Sequence, residues 1–126
     1  MATKKEKVIF STQVLEIGTE VDDFKTINMA ILFGNEAPNA LRSSCFIINV
    51  VPITEKINPE MKIMFDNQKY IITAVGSEVQ HNLGRLGHTT ISFTSKETAK
   101  LPGTIYVSEN DYPVIKVGTK IQIIDQ

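Results

Sequence analysis

The sequence predicts a small all-β protein, a closed or partly open β-barrel carrying one short helix at about residues 77–87. Three observations predict it. Apolar and polar residues alternate in short runs over most of the chain. Turn signals such as Gly34-Asn35, Asp66-Asn67 and Pro102-Gly103 separate those runs. Only Val79, Leu83 and Leu86 follow one another convincingly at the i, i+4, i+7 spacing of one helix face. At 126 residues the chain supports one hydrophobic core, so residues 1–126 are read as a single domain.

The first strand is Lys7 to Ile17, whose apolar parity shifts between Phe10 and Leu15 as a bulge or strong twist requires. Gly18 ends it. Phe24 to Phe33 is read as the second strand, with Ile27, Met29, Ile31 and Phe33 inward, paired with the first as a hairpin. Asn35 to Ser44 contains Pro38 and Asn39, lacks a strand period, and reads as a loop with room for one helical turn. Cys45 to Val51 is an apolar run interrupted by Asn49 and ended by Pro52, which predicts a central strand. Met61 to Phe65 and Tyr70 to Val75 are joined by a turn at Asp66 to Lys69, and the β-branched and aromatic content of Tyr70 to Val75 suggests packing on both faces. Thr104 to Val107 and Lys120 to Ile124 complete the strands. Lys56 to Ile63 echoes Lys116 to Ile123 as a turn-then-strand unit, a faint sign of internal repetition.

The helix is bounded by its own chemistry. Gly76 breaks the preceding strand, Ser77 is a suitable N-cap, and Gln80 three residues on completes a capping-box pattern. Gly87 supplies the left-handed residue that commonly ends a helix. From His88 the pattern alternates again, with Ile91 and Phe93 inward and His88, Thr90 and Ser92 on the polar side.

Composition excludes several functions. A formal net charge of −1 with 21% charged residues provides no basic field for a nucleic-acid backbone. The longest apolar run is too short to span a bilayer and the first residues lack a signal-peptide core, so a cytoplasmic protein without direct membrane insertion is expected. One cysteine and two histidines fall short of the usual zinc ligand sets, so neither a metal nor a cofactor is indicated. Cys45, inside an apolar run, reads as a buried and inert thiol. His81 reads as a solvated residue on the polar helix face, and Asp22-Asp23 and Glu109 with Asp111 as solvated turns. His88 has two readings: a fixed imidazole available for chemistry, or a residue that interacts with the free carbonyls at the helix C-terminus. At the other end, the amides after Gly76 and Ser77 form a candidate anion site.

Thr73-Ala74-Val75-Gly76-Ser77, Asn82-Leu83 with Leu86-Gly87-His88, the Cys45-Phe46-Ile47 run and Leu101-Pro102-Gly103-Thr104 carry a resemblance that spans nearly the whole chain. In order and spacing they resemble the glucitol/sorbitol-specific enzyme IIA component of the bacterial phosphoenolpyruvate-dependent sugar phosphotransferase system (PTS). The resemblance implies a small cytoplasmic barrel that accepts a phosphoryl group from the histidine-containing phosphocarrier protein and passes it to the IIB component, which works with IIC on a sugar alcohol. It also implies a phosphoryl-accepting histidine directly after the Cys-Phe-Ile run, where this chain has Ile48. An isoleucine offers no lone pair to phosphorus, so the covalent step cannot occur there. Three readings follow from the departure: a phosphocarrier using His88 as the acceptor with Arg85 as an anion-binding group, a phosphorylation-incompetent paralogue acting as a regulatory or binding module with Gly76 and Ser77 still binding an anion, or an ordinary β-barrel binding domain that shares the fold and not the function.

Overall fold

The computed structural model describes residues 6–126. Its elements, in chain order, are β1 (Lys7–Ile17), α1 (Val21–Lys25), β2 (Met29–Gly34), α2 (Asn39–Arg42), β3 (Phe46–Ile48), β4 (Lys62–Phe65), β5 (Gln68–Val75), α3 (Val79–Leu86), β6 (Thr89–Ser92), β7 (Thr104–Val107) and β8 (Lys120–Asp125). The strands close a barrel in the order β1-β3-β2-β6-β7-β5-β4-β8. Two neighbouring pairs, β2 with β3 and β6 with β7, run parallel, and the rest antiparallel.

Closure depends on β1, which pairs with β8 along its first part and with β3 at its end. Its register shifts twice, between Val8 and Phe10 and between Val14 and Glu16, towards the two edges of the stretch in which the sequence placed a single parity change. Ile9, Phe10, Thr12 and Val14 point inward. The interior is lined by isoleucines and by Phe65, Tyr70 and Phe93, whose ring centroids lie 5.0–6.0 Å apart. Such aromatic contacts contribute about 0.5–1.5 kcal/mol each beyond area burial.

Several expectations are corrected. Three short helices form rather than one. Phe24 belongs to α1, not to a strand, because Asp22 and Asp23 suit a helix's first turn and Lys25 its last. Asn28, left-handed at φ 58°, follows that helix, and β2 starts only at Met29. That restart resets the parity: Ala30 and Leu32 are buried, Met29 and Ile31 half-buried, and Ile27 exposed. No β1–β2 hairpin exists, since β3 lies between the two strands. The strand within Cys45–Val51 is only Phe46–Ile48. In β5, Tyr70, Ile72 and Ala74 are buried while Ile71 faces solvent, so the strand is covered on one face only. Ser77 does not cap α3, which starts at Val79. Gln80 instead accepts from the Ile57 amide at 2.8 Å and donates to the Glu55 carbonyl at 3.1 Å, tying the β3–β4 connection to the helix.

The faint echo proves to be part of a larger repetition. Advancing each strand of β1–β4 by four places gives β5–β8, and the ring order maps onto itself under that operation. Details repeat as well. The β1·β3 shift between Val14 and Glu16 recurs in β5·β7 between Ile72 and Ala74. Gly18 and Glu20 donate to the Cys45 and Ser43 carbonyls as Gly76 and Glu78 donate to those of Thr104 and Pro102. Ile63 pairs with Ile123, its own counterpart in the echo, as residues beside a two-fold axis would.

A Cβ at Gly18 would land on the Ser43 carbonyl and one at Gly76 on the Pro102 carbonyl, whereas Gly103 has open space around it. Gly18→Ala and Gly76→Ala are therefore expected to lower unfolding free energy by about 1–3 kcal/mol through overpacking. Gly103→Ala is expected to stay within about 0.5 kcal/mol of the parent. Urea melts of the three variants check this, and equal midpoints would contradict it.

Candidate functional site

The site develops where β2 and β6 run out. Their last antiparallel pair is Leu32 with Thr89, and continuing that register places Phe33 beside His88 and Gly34 beside Gly87. The glycines permit the approach. A Cβ on Gly87 would sit 2.9 Å from the Gly34 nitrogen, and one on Gly34 would sit 2.5 Å from the Leu86 carbonyl oxygen. Gly87 also ends α3 in the left-handed conformation, φ 69°, as the sequence predicts.

His88 consequently stacks flat on Phe33, with centroids 4.1 Å apart and planes 11° from parallel. Its backbone amide donates to the Asn82 carbonyl and that of Gly87 to the Leu83 carbonyl, so two of the helix's terminal carbonyls are already occupied. The ring itself makes no side-chain hydrogen bond among the described residues. Buried polar side-chain atoms there all have partners, so the imidazole nitrogens reach solvent. Partial burial lowers the His88 pKa, which keeps the ring neutral at neutral pH. A neutral, immobilised imidazole with open nitrogens is a competent nucleophile.

Phe33 forms one wall of a cleft of about 630 Å³, also lined by Asn35, Glu36, Pro38, Asn49, Val50, Arg85 and Leu86. Arg85, in the last turn of α3, is exposed and has no carboxylate at ion-pair distance among the described residues. It is available to an anion in the cleft. Leu86, assigned by sequence to the buried helix face, is 49% exposed and forms part of the rim instead.

The sequence-derived site residues do not converge. Gly76 and Ser77 lie at the start of α3, and Arg85 and His88 at its end. The amides of Gly76 and Glu78 are committed to the Thr104 and Pro102 carbonyls, and Glu78 adds a negative charge at that end. Ile48 is fully buried in the barrel interior, whereas Phe33, under His88, packs with Ile47 and Cys45 on the outer side of the same sheet. His88 and Ile48 thus occupy opposite faces, although the Ile48 Cγ1 is 3.4 Å from a Cβ built on Gly87. Cys45 is buried, its thiol donates to the Leu41 carbonyl at 3.2 Å, and burial raises its pKa. His81 is exposed on α3. Sequence reasoning missed Phe33 and Asn35, whose only advance signal was their position on either side of the Gly34 turn.

Comparison with known proteins agrees with this architecture. The family model described as "PTS system glucitol/sorbitol-specific IIA component" matches residues 9–122. The glucitol/sorbitol-specific EIIA components of Shigella flexneri and of Escherichia coli (strain K12) are each 34% identical over 101 residues, covering 80% of this chain and 82% of theirs. A crystal structure of a PTS system IIA component from Enterococcus faecalis V583 superposes with a TM-score of 0.78 at 26% identity, covering 89% of this chain and 97% of that one.

The burial of His88 has a measurable consequence. With its pKa below the ordinary 6.5, the unfolded chain binds the proton more readily than the folded one. The stability contributed by the neutral ring is full above the unfolded value and is lost as pH falls from there through the folded value. In an NMR titration the His88 ring is expected to show a midpoint below 6.5 that rises in Phe33→Ala, where water gains access to the imidazole. A midpoint at or above 6.5 in the parent would contradict the assignment.

Proposed function

Because the chain belongs to the family of glucitol/sorbitol-specific IIA components of the phosphotransferase system, we propose that it carries a phosphoryl group on His88. It takes that group from the histidine-containing phosphocarrier protein and hands it to a IIB component, as part of a cytoplasmic relay serving the uptake of a sugar alcohol. The observation that carries this reading is the His88 ring itself: flat against Phe33, neutral through burial, and with ring nitrogens open to solvent.

The chemistry needs little else from the protein. The lone pair of one imidazole nitrogen attacks phosphorus as the bond to the donor's nitrogen breaks, and the donor ring retains that electron pair. Positioning and charge compensation supply the catalysis. The end of α3 disfavours a phosphoryl group by about 0.3–1 kcal/mol in exposed settings. Two features oppose that penalty here: the Gly87 and His88 amides already satisfy helix carbonyls, and Arg85, without an ion-pair partner among the described residues, stands in the last turn. Gly76 and Ser77 contribute to this reading only as the far end of the helix that presents His88.

Intact-mass measurement after incubation with phosphoenolpyruvate and the two general phosphotransfer proteins tests the assignment. The parent and His81→Ala are expected to gain one phosphoryl group and His88→Ala none. A parent that stays unmodified, while a relative with histidine at the Ile48 position is modified in the same mixture, would overturn the reading.

A further inference from the structure

We propose that Asn35 is a phosphoryl-binding group of the cleft, an amide donor set in place by Arg42. The identity of the ligand, a phosphoryl dianion, rests on the His88 reading; the orientation of the amide does not.

Arg42 grips Asn35 twice. Its Nη1 donates to the Asn35 main-chain carbonyl at 2.8 Å and its Nη2 to the side-chain Oδ1 at 2.9 Å. A guanidinium has donors and no acceptor, so the amide atom facing Nη2 must be the oxygen. This fixes which way the amide is turned, a choice that an isolated asparagine leaves open. The Asn35 Nδ2 is left with no hydrogen-bond partner among the described residues, on a side chain that lines the same cleft as Phe33 and Arg85.

Arg42 is in turn held by Glu16 at the end of β1, through Nε at 2.8 Å and Nη2 at 3.2 Å. That pairing engages its charge in a fork with a carboxylate, so Arg42 acts as a positioning residue and not as a second cation for the phosphoryl group. The cleft then offers Arg85 as charge and Asn35 as a directed neutral donor, against the carboxylate of Glu36 on the same lining. A neutral donor adds affinity for the transferred group without trapping it, which suits a carrier that must also release it.

The full ¹⁵N-labelled chain, titrated with inorganic phosphate, tests the orientation, and phosphoryl transfer tests the role. The Asn35 side-chain NH₂ resonances are expected to move saturably with phosphate, and the response to weaken in Arg42→Lys, because lysine cannot make the two-pronged contact. Asn35→Leu removes the donors without adding a charge; it is expected to slow phosphorylation about 10- to 100-fold, the scale of a lost hydrogen bond to a charged group. An Asn35 NH₂ that stays still under phosphate, or Asn35→Leu transferring at the parent rate, would overturn the proposal, and an undiminished response in Arg42→Lys would overturn the positioning role. If the parent takes up no phosphoryl group but its Asn35 NH₂ still responds to phosphate, the His88 reading fails and the anion site stands.

Discussion

The contact between two backbones at Gly34 and Gly87 is the constraint on which the site depends. Side chains at these positions would hold the end of α3 away from the end of β2. Without them, the residues on either side are forced together, and His88 has nowhere to lie except on Phe33. The cleft lies beside this contact, lined by Phe33, Asn35 and Glu36 around Gly34 and by Arg85 and Leu86 before Gly87. A backbone contact with no chemistry of its own thereby sets the solvation, orientation and protonation state of the imidazole stacked on Phe33, a residue of the cleft wall.

How much of this was legible depended on whether the cause was local. The barrel class, a short helix near 77–87, the Gly87 cap and the outward side of His88 all follow from period and turn chemistry within a few residues, although the helix itself starts only at Val79. The β1–β2 hairpin was wrong because alternation says nothing about a third strand inserted between two sequence neighbours. The extended reading of Phe24 failed although the signal was local, since Asp22, Asp23 and Lys25 suit the two ends of a short helix but were read as a solvated turn and part of a strand. His88 stood out as a candidate from its place between helix and strand, yet its stacking partner Phe33 did not. The sequence suggested a relation to Ile48, whereas strand pairing put the two on opposite faces of one sheet. Asn35 was hidden for a further reason, since its importance lies in Arg42 and Glu16, residues whose meeting depends on the completed barrel.

The repetition within the chain throws the site's asymmetry into relief. By strand register, Phe46 and Ile47 of β3 correspond to Ile105 and Tyr106 of β7, and Gly87 corresponds to the left-handed Asn28. The position equivalent to His88 is Met29, and the counterpart of α3 is the shorter α1. A shared scaffold therefore carries a histidine and the longer helix in one half only, while a basic residue stands in the last turn of the helix in both, Lys25 in α1 and Arg85 in α3. What differs between the halves includes the residue the proposed chemistry uses as nucleophile, and what they share includes the pairings that close the barrel.

That symmetry also governs how the molecule can assemble during synthesis. Within the first half, β1, β3 and β2 can form a sheet, but β4 pairs only with β5 and β8, and the free edge of β2 waits for β6. All four junctions between the halves, β2 with β6, β4 with β5, β4 with β8 and β1 with β8, must therefore stay open until strands of the second half have been made. Pairings of such long sequence separation fold slowly and expose strand edges meanwhile. The nascent chain's most vulnerable surfaces are thus the free edges of β1, β2 and β4, of which those of β2 and β4 lie beside the symmetry axis in the finished protein.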